Sequence, residues 1–328
     1  MSNSVGHIQE NNRFHHVLVA GAGTMGHGLA LLMAAAGCKV SLSDPSDSAL
    51  ETALDLAKSH LAVLAEEGQV DGATIPTILD RIHLMKPAQA PDHVDLVLET
   101  ISEDVEAKRA FLAEIATRVR PDTVVASNTS YLNVFDLAPA TVQERLLICH
   151  FFAPPYIIPL VEIVKGPKTD PEVVERLRAF LLAIGQTPVL VEKFVPGFIV
   201  NRLQRALGRE IFHLIDQGYA QPEQIDKAVL ASLGIRIPVL GVVKRYDFAG
   251  LDFTSRVLSN PSIGLASEDR PSAAVDQHVA QGHTGVKSGR GFYDYSRYQP
   301  GEIYAKRDRL LIKMRRIVAE IEKTFWQD

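Results

Sequence analysis

The chain has 328 residues, of which 46% are hydrophobic and 22% are charged, a composition typical of globular proteins. Its net charge of −5 excludes a broadly basic surface for nucleic acid or anionic membranes. Two cysteines, Cys38 and Cys149, cannot form a disulfide framework and indicate a reducing compartment. No apolar run approaches the roughly 20 residues that cross a bilayer, and the first residues do not resemble a signal peptide. We therefore expect a cytoplasmic protein whose partner is a small molecule, with no nucleic acid and no membrane as partner.

Short β-branched runs alternate with longer helical patterns in the first part of the chain. The runs lie at residues 17–20, 39–43, 94–99, 123–127, 146–151, 160–164 and 188–192. Helical patterns such as 106–119 and 172–185 lie between them. This alternation predicts βαβ units on a largely parallel sheet, and the pattern leaves open the direction of the strands from residue 146 onward.

The pattern changes at Pro196 and Gly197, which interrupt the alternation before a long helical segment. Ile199, Leu203 and Leu207 recur on one face of this segment, at the spacing of a buried helix face. A loop-rich stretch from residue 259 to 291 then leads into a final amphipathic helix.

These patterns define two predicted domains. The first is an α/β domain over residues 1–193, and the second is an all-α domain over residues 194–328. The apolar stripes of the second domain exceed what one short domain needs for its own core. We therefore expect the protein to form a homodimer.

A glycine-rich loop follows the first predicted strand and opens a helical pattern. The loop is Gly21, Ala22, Gly23, Thr24, Met25 and Gly26, which matches G-x-G-x-x-G. Such glycines allow a tight turn and let backbone N–H groups approach a pyrophosphate at the helix N-terminus. Asp44 closes the second strand, where a carboxylate holds the adenosine ribose hydroxyls and favours NAD over NADP. The loop predicts an NAD site, and the alternative is a glycine-rich turn without a ligand.

Polar residues also follow later strands, whose carboxyl ends are expected to point toward the cofactor. Asn128 and Ser130 follow the run at 123–127, and His150 ends the run at 146–151. An alcohol that transfers a hydride must also lose its hydroxyl proton, and histidine titrates near neutral pH. Glu162 is the candidate carboxylate that orients His150 and stabilises its protonated form. The alternative is a structural pair of His150 and Glu162 in the core.

Several separated motifs resemble those of the L-3-hydroxyacyl-CoA dehydrogenase family. They are GAGTMGHGLA, ETISEDVEAKRAFLAEI, ASNTS, the segment around His150, PGFIVNRL, AGLD and GVKSGRGFYDY, in that order along most of the chain. The resemblance implies a Rossmann-like NAD-binding domain and a helical domain that dimerises. It also implies that His150 is the catalytic base and that Glu162 is paired with it.

The resemblance assigns further residues to the site. Ser130 matches the serine that contacts the substrate oxygen, and Asn201 matches the asparagine that opens the second domain. Glu103 and Lys108 match positions near the nicotinamide and its ribose, and Asn128 is assigned to the cofactor as well. The chemistry that the family carries out needs no metal.

Three departures from the family pattern bear on the substrate. Ala153 replaces an asparagine, and APPYIIPLVE resembles members such as gulonate dehydrogenase and lambda-crystallin. Glu66 and Glu67 lie where CoA-binding members often have lysines. The third departure introduces basic residues that are candidates to clamp a free carboxylate, as in relatives that act on a pyridine carboxylate. They are Arg236, Lys244 and Arg245.

The sequence therefore leaves three interpretations. The first is oxidation of a short-chain L-3-hydroxyacyl-CoA in fatty acid metabolism, placed narrowly ahead on family frequency. The second is oxidation of a small hydroxy acid or a ring carboxylate alcohol without CoA, resembling gulonate, carnitine or pyridine-carboxylate dehydrogenases. The third, from a different class, is an NAD-binding protein without catalysis, resembling the lambda-crystallins.

Overall fold

A computed structural model describes residues 12–266 and 272–325 of the chain. The chain divides into two compact units, one ending at Arg202 and one beginning at Leu203. The first unit combines a mostly parallel sheet with helices, and the described part of the second unit is helical. The predicted fold class, a Rossmann-like α/β domain followed by an all-α domain, is confirmed.

The first unit is built on one sheet of eight strands. They are β1 (His16–Ala20), β2 (Lys39–Ser43), β3 (Ile82–Met85), β4 (Leu96–Glu99), β5 (Val124–Ser127), β6 (Leu146–Phe151), β7 (Leu160–Lys165) and β8 (Thr187–Val191). Their order across the sheet is β3-β2-β1-β4-β5-β6-β7-β8. β6 and β7 pair in antiparallel fashion, and the other neighbouring strands are parallel.

The seven predicted strands are present, with ends that differ by at most two residues. The prediction omits β3, a four-residue edge strand in which Ile82 is buried and His83 is exposed. Such a short strand lacks the continuous apolar run that marks a buried parallel strand. The sequence left open the direction of the strands after residue 146, and in the structure β7 runs antiparallel to β6. A short connection without a helix permits this pairing, whereas parallel neighbours need a longer crossover.

Five α-helices belong to the described part of the first unit. They are α1 (Gly26–Ala35), α2 (Asp47–Glu66), α3 (Ile75–Asp80), α4 (Val105–Arg118) and α5 (Pro171–Ala183). The side chains of Ser46, Asp104 and Asp170 accept backbone N–H groups in the first turns of α2, α4 and α5. These caps satisfy donors that have no partner within the helix and therefore fix where each helix begins.

The core of the first unit runs along the middle strands of the sheet. Leu18, Val97 and Val125 are neighbours across β1, β4 and β5, and Ile148 of β6 joins the same buried cluster. Strands covered on both faces carry apolar residues at nearly every position. Because these parallel strands are in register, their carboxyl ends meet along one edge of the sheet, where Glu99 and Ser127 lie.

The remaining helices lie mainly in the second unit. They are α6 (Val200–Asp216), α7 (Pro222–Ala231), α8 (Leu233–Leu240), α9 (Lys244–Ala249), α10 (Leu251–Leu258), α11 (Ala273–Ala280) and α12 (Pro300–Phe325). The compact units part just inside α6, whereas the predicted domain boundary precedes this helix. The stretch predicted as loop-rich contains α11, because a helix of eight residues offers too few apolar positions for a periodic signal.

The described part of the second unit buries few apolar side chains. Ile225 and Ile312 are its buried hydrophobic residues among those described. Leucines, isoleucines and phenylalanines on several helices are instead exposed, such as Leu207, Phe248 and Leu258. None of the helices in residues 12–266 and 272–325 combines the length and the apolar character that crossing a membrane requires.

Candidate active site

The polar residues of the site lie where the central strands end. Glu99 is the last residue of β4, Ser127 the last of β5, and His150 the next to last of β6. Glu99 and Ser127 are paired across neighbouring parallel strands, and His150 is paired with Glu162 across β6 and β7. The topology therefore places groups that are far apart in sequence at one edge of the sheet.

The glycine-rich loop joins β1 to α1 in a compact turn. Gly21 has φ of 101°, a conformation that favours glycine, and its carbonyl oxygen accepts a hydrogen bond of 2.9 Å from Thr100 Oγ1. A Cβ on Gly26 would lie 1.8 Å from the Gly21 oxygen, so a side chain cannot be accommodated there without a shift of the loop. Thr100 was not singled out in the sequence because a threonine after a strand has no distinctive pattern.

A cavity of about 340 Å³ lies beside this loop. Its walls include Gly21, Gly23, Asp44, Ile101 and Phe111. The Asp44 carboxylate accepts hydrogen bonds from two backbone N–H groups, at 2.9 Å from Ala22 and 2.8 Å from Ser46. Apolar walls, an open glycine backbone and an acidic side chain at the end of β2 fit the adenosine and pyrophosphate of NAD.

Thr24 and Met25 occupy the turn that leads into α1. Thr24 is exposed and Met25 is half-buried at the position before the helix. Both side chains are therefore at the helix N-terminus, where an anion is favoured by free backbone N–H groups and by the helix dipole. Direct contact of Thr24 and Met25 with the cofactor stays a prediction.

His150 and Glu162 form a buried pair. His150 Nδ1 lies 2.8 Å from Glu162 Oε2, and both side chains are almost fully removed from solvent. An ionised carboxylate only accepts hydrogen bonds, so Nδ1 carries the proton and donates it. The remaining nitrogen, Nε2, is then the acceptor in the neutral ring. The predicted association of His150 with Glu162 is thus present, and its catalytic role stays a prediction.

The second oxygen of Glu162 anchors the start of α6. Glu162 Oε1 accepts hydrogen bonds of 2.9 Å from the backbone N–H groups of Ile199 and Val200. Burial alone would raise the pKa of Glu162, but the bonds from His150, Val200 and Ile199 together lower it below its ordinary value. Glu162 therefore carries a negative charge that is satisfied from both sides.

The Phe198 ring packs against the imidazole of His150. The ring is buried and its centroid lies 5.3 Å from that of His150, while Phe152 contacts the same imidazole at 4.6 Å. Phe198 adopts φ of 49°, which is unfavourable for a residue with a side chain by about 1–2 kcal/mol. Burial of the aromatic ring offsets this strain, and the turn directs the chain into α6.

Asn128 and Ser130 follow β5 with different orientations. Asn128 Oδ1 accepts a hydrogen bond of 2.8 Å from the Phe151 N–H, which ties the end of β5 to the histidine segment. The Ser130 N–H donates to Glu103 Oε1 at 2.5 Å, whereas the Ser130 hydroxyl has no hydrogen bond to the described residues. The hydroxyl is therefore available to a ligand. The assignment of Asn128 and Glu103 to the cofactor stays a prediction.

Glu99, Lys108 and Ser127 form a buried network of charged and polar groups. The sequence did not predict that these residues interact. Lys108 Nζ lies 2.6 Å from Glu99 Oε1, and the two side chains are 1% and 0% exposed. Ser127 Oγ donates to the other Glu99 oxygen at 2.5 Å. In the sequence, Glu99 and Lys108 look like charges at a strand end and on a solvated helix, and only the packing of α4 against the sheet reveals their burial.

The other predicted substrate residues lie on α6, α8 and α9. Asn201 lies half-buried in the first turn of α6, and its amide has no hydrogen bond to the described residues. Arg236 on α8 donates to Ser232 Oγ at 2.7 Å, and the Arg245 guanidinium lies over the Tyr246 ring. Lys244 begins α9 and is exposed. Their role in binding a carboxylate stays a prediction.

Alanine variants at Gly23 and Gly26 distinguish a loss of cofactor binding from a loss of loop stability. An alanine Cβ at Gly23 would meet no protein atom within 4 Å, so Gly23→Ala should leave the thermal midpoint unchanged. It should weaken NADH binding about tenfold or more, because the pyrophosphate needs close approach to this backbone. Gly26→Ala should instead destabilise the unit by about 1–3 kcal/mol through overpacking. Thermal unfolding and NADH fluorescence titration check both, and wild-type NADH affinity in Gly23→Ala would contradict the proposed pyrophosphate site.

The lowered pKa of Glu162 makes stability depend on pH. Its contribution is fully present above the ordinary value of 4.5 and is lost as the pH falls through the folded pKa. Glu162→Gln should therefore lower the free energy of unfolding more at pH 7 than at pH 4, whereas Glu51→Gln at an exposed position should change neither. Urea unfolding at the two pH values measures this difference. An equal loss at both would show that the ionised form has no special stabilisation.

Two family models match the chain. The model for the NAD binding domain of 3-hydroxyacyl-CoA dehydrogenase matches residues 16–194, and the model for the C-terminal domain matches residues 197–295. Together they cover most of the chain, in the order that the two compact units show.

Relatives of two kinds have similar sequence identity to this chain. The 5-formyl-3-hydroxy-2-methylpyridine 4-carboxylate 5-dehydrogenase of Mesorhizobium japonicum is 34% identical over 307 residues, which cover 92% of this chain and 98% of that enzyme. The probable 3-hydroxybutyryl-CoA dehydrogenase of Bacillus subtilis is 34% identical over 281 residues, which cover 85% of this chain and 96% of that protein.

The solved structures show the same two groups. The crystal structure of the pyridine-carboxylate dehydrogenase, an NAD⁺-dependent dismutase, aligns with a TM-score of 0.83 and 31% identity over 94% of this chain and 99% of that chain. The (S)-3-hydroxybutyryl-CoA dehydrogenase of Ralstonia eutropha aligns with a TM-score of 0.66 and 28% identity over 87% of this chain and 100% of that chain. The chain therefore belongs to the 3-hydroxyacyl-CoA dehydrogenase family, whose members are NAD-dependent and act on CH–OH groups.

Proposed function

We propose that the protein oxidises the hydroxyl-bearing carbon of a small ring carboxylate that carries no CoA, with His150 as general base. The hydroxyl belongs to an alcohol or to the hydrate of an aldehyde. The geometry that carries this proposal is the His150–Glu162 pair, which leaves Nε2 unprotonated at the carboxyl edge of the sheet. Glu162 positions the ring and stabilises the positive charge that develops when Nε2 takes a proton.

The proton and hydride leave the substrate in one step. His150 Nε2 accepts the hydroxyl proton while the carbon–hydrogen bond breaks, and the oxygen forms a carbonyl with the same carbon. Bound NAD supplies the hydride acceptor at C4 of its nicotinamide ring. The free hydroxyl of Ser130 and the amide of Asn201 donate hydrogen bonds to the substrate oxygen as negative charge develops on it.

The extent of the match supports a substrate without CoA. The pyridine-carboxylate dehydrogenase aligns over nearly the full length of both chains with a TM-score of 0.83, whereas the hydroxybutyryl-CoA dehydrogenase reaches 0.66 at similar identity. A structure shared over so much of the chain favours a shared substrate class. The ring carboxylate is therefore placed ahead of the thioester.

The charge of α2 supports the same choice. Family members often place lysines there to meet the CoA phosphates. In this chain α2 has Lys58 as its lysine, and Lys58 Nζ already pairs with Asp55 at 3.0 Å. Glu66 and Glu67 lie at the end of the helix. Carboxylates at this end repel phosphate groups, so the helix is poorly suited to hold the nucleotide of CoA.

A free carboxylate on the substrate needs a cationic partner instead. The candidates in the helical unit are Arg236 and Lys244, which are exposed, and Arg245, which is half-buried. A guanidinium binds a carboxylate through two parallel hydrogen bonds, which makes the two arginines better candidates than Lys244.

The second candidate function is oxidation of a short-chain L-3-hydroxyacyl-CoA to the 3-oxoacyl-CoA, as a step of fatty acid metabolism. The relative in Bacillus subtilis and both family models favour it. It needs the same His150 chemistry and differs in the group that carries the hydroxyl.

A substrate panel and one variant test the proposed function. We expect NADH formation from hydroxymethyl or formyl pyridine carboxylates to exceed that from L-3-hydroxybutyryl-CoA in kcat/KM. His150→Gln should lower kcat about 10²–10⁴-fold, because general base catalysis contributes that much, while NADH binding persists. His83→Gln, at an exposed histidine of the same sheet, is the matched control.

Each outcome has a distinct meaning. Preference for the thioester would contradict the ring-carboxylate substrate and favour the second candidate. Near-normal turnover in His150→Gln would remove His150 as the base. NADH binding without turnover on any member of the panel would favour an NAD-binding protein without catalysis.

We also propose that the protein is a homodimer formed through the helical unit. Buried hydrophobic side chains in the described part of this unit are few, and large apolar side chains remain exposed on α6, α8, α9, α10 and α12. Monomeric proteins rarely expose so many large apolar side chains, and a second copy of the same helices would cover them.

Sedimentation velocity at micromolar concentration checks the dimer. We expect twice the 36.0 kDa mass of one chain. Leu207→Lys, on the exposed face of α6, should shift the protein toward monomer, whereas Leu56→Lys at an exposed leucine of the first unit should not. A wild-type protein that sediments as a monomer would contradict the proposal.

A further inference from the structure

We propose that Asp47 and Lys86 form a charge pair that sets how strongly the cofactor site rejects NADP. Asp47 neutralises Lys86, which would otherwise attract the 2′-phosphate that distinguishes NADP from NAD. The inference rests on the predicted placement of the adenosine ribose at Asp44, and it adds a second determinant of cofactor choice to that residue. It does not depend on which substrate the protein oxidises.

The order of the strands brings Lys86 close to the end of β2. β3 pairs with β2 in parallel, and their last residues, Ser43 and Met85, are partners in the register. The Asp44 N–H donates a hydrogen bond of 3.2 Å to the Met85 carbonyl oxygen. Asp44 directly follows β2 and Lys86 directly follows β3. The two side chains therefore start from neighbouring points at the carboxyl edge of the sheet, where ligands bind in open α/β folds.

The Lys86 ammonium is held at the edge of the cofactor cavity. Lys86 Nζ donates a hydrogen bond of 2.8 Å to the Pro45 carbonyl oxygen, and it lies 2.7 Å from Asp47 Oδ1. Pro45 and Pro87 both line the cavity. An ammonium has three hydrogens, and Pro45 takes one of them. The bond to Pro45 keeps the ammonium in place without Asp47, and hydrogens then remain for an anion.

The beginning of α2 would attract the same phosphate. α2 is a helix of 20 residues, and it begins at Asp47 with the Ser46 side chain as its cap. The N-terminus of a long helix favours a negative charge, and a nearby ammonium adds to this attraction. The carboxylates of Asp44 and Asp47 oppose it. Cofactor choice at this position therefore depends on the balance between opposite charges rather than on the shape of the cavity.

This balance affects NADP much more than NAD. A phosphate monoester carries a charge of about −1.5 to −2 at pH 7, whereas the ribose hydroxyls of NAD are neutral. Asp47 is 79% exposed and Lys86 is 36% exposed, so both groups stay hydrated when their partner is removed. An exposed ion pair contributes little to stability, so its charges can be changed without unfolding the protein. The pair is therefore suited to a role in selectivity.

Asp47→Asn tests the inference, because it removes the charge and keeps the size of the side chain. We expect the Kd for NADPH to fall about tenfold, which corresponds to one additional charge-assisted hydrogen bond. The Kd for NADH should change less than about twofold, because no phosphate meets Lys86. The thermal midpoint should stay unchanged. Asp55→Asn is the matched control, since Asp55 is 76% exposed on the same helix and pairs with Lys58 at 3.0 Å.

Lys86→Met and the double variant D47N/K86M complete a thermodynamic cycle. In the Lys86→Met background, Asp47→Asn should improve NADPH binding about threefold or less, because repulsion is relieved but no ammonium is freed. Fluorescence titrations of each full-length protein with NADPH and with NADH measure these constants. They are made at about 0.02 M and about 0.5 M salt, and the gain should shrink at the higher concentration because salt screens exposed charges.

Each other outcome overturns the inference. Unchanged NADPH affinity in Asp47→Asn shows that Asp47 does not restrain Lys86. Equal gains with and without Lys86 show that Asp47 repels the phosphate directly and that the lysine has no part. An equal gain in Asp55→Asn shows an effect of net charge alone. Because the titrations measure binding only, failure of the proposed oxidation of a ring carboxylate leaves this test unaffected.

Discussion

Glu162 is buried on every side, and its carboxylate has to be satisfied because an unpaired buried charge destabilises a protein by about 3–5 kcal/mol. Its two oxygens divide this task. One accepts the imidazole N–H of His150, and the other accepts two backbone N–H groups where α6 begins. A single side chain therefore fixes the tautomer of the histidine and the entry of the helix that carries Asn201. The orientation of the imidazole and the start of α6 depend on the same charge.

The surrounding chain is shaped to deliver these partners. β6 and β7 run antiparallel and place His150 opposite Glu162, which two parallel strands joined by a long crossover would not do within twelve residues. The turn before α6 places Phe198 in a left-handed conformation so that its ring covers the imidazole. The strained backbone at Phe198 is tolerated because this turn buries the Phe198 ring and lets the Ile199 and Val200 N–H groups bond to Glu162.

A second buried charge lies along the same edge of the sheet. Glu99 is paired with Lys108 and with the Ser127 hydroxyl, and it is the last residue of the buried strand β4. Glu162 contacts His150, the proposed base, and Glu99 contacts Ser127, the last residue of the strand that leads to Ser130. The interior of the sheet is apolar, and its charged groups are concentrated where the central strands end. This distribution is what a reaction that moves a proton and a hydride requires.

Sequence patterns predicted the features that depend on residues close together in the chain. β-branched runs located seven strands, the glycine loop predicted a dinucleotide site, and the spacing from His150 to Glu162 suggested the pair. The Glu99–Lys108 pair was missed because burial of a charge depends on which helix covers the strand end, and sequence alone shows only two polar residues. Asn128 illustrates the same limit, since its side chain bonds the backbone of β6. The edge strand β3 was too short to show a period.

The tautomer of His150 tests the account most directly. Nitrogen NMR of protein labelled at its histidine rings, with His150→Gln to assign the signal, reports which nitrogen carries the proton at neutral pH. The hydrogen bond to Glu162 predicts a protonated Nδ1 and a free Nε2. A neutral ring with its proton on Nε2 would contradict the account, because Glu162 would then not orient a base and His150 would have no free nitrogen to accept the substrate proton.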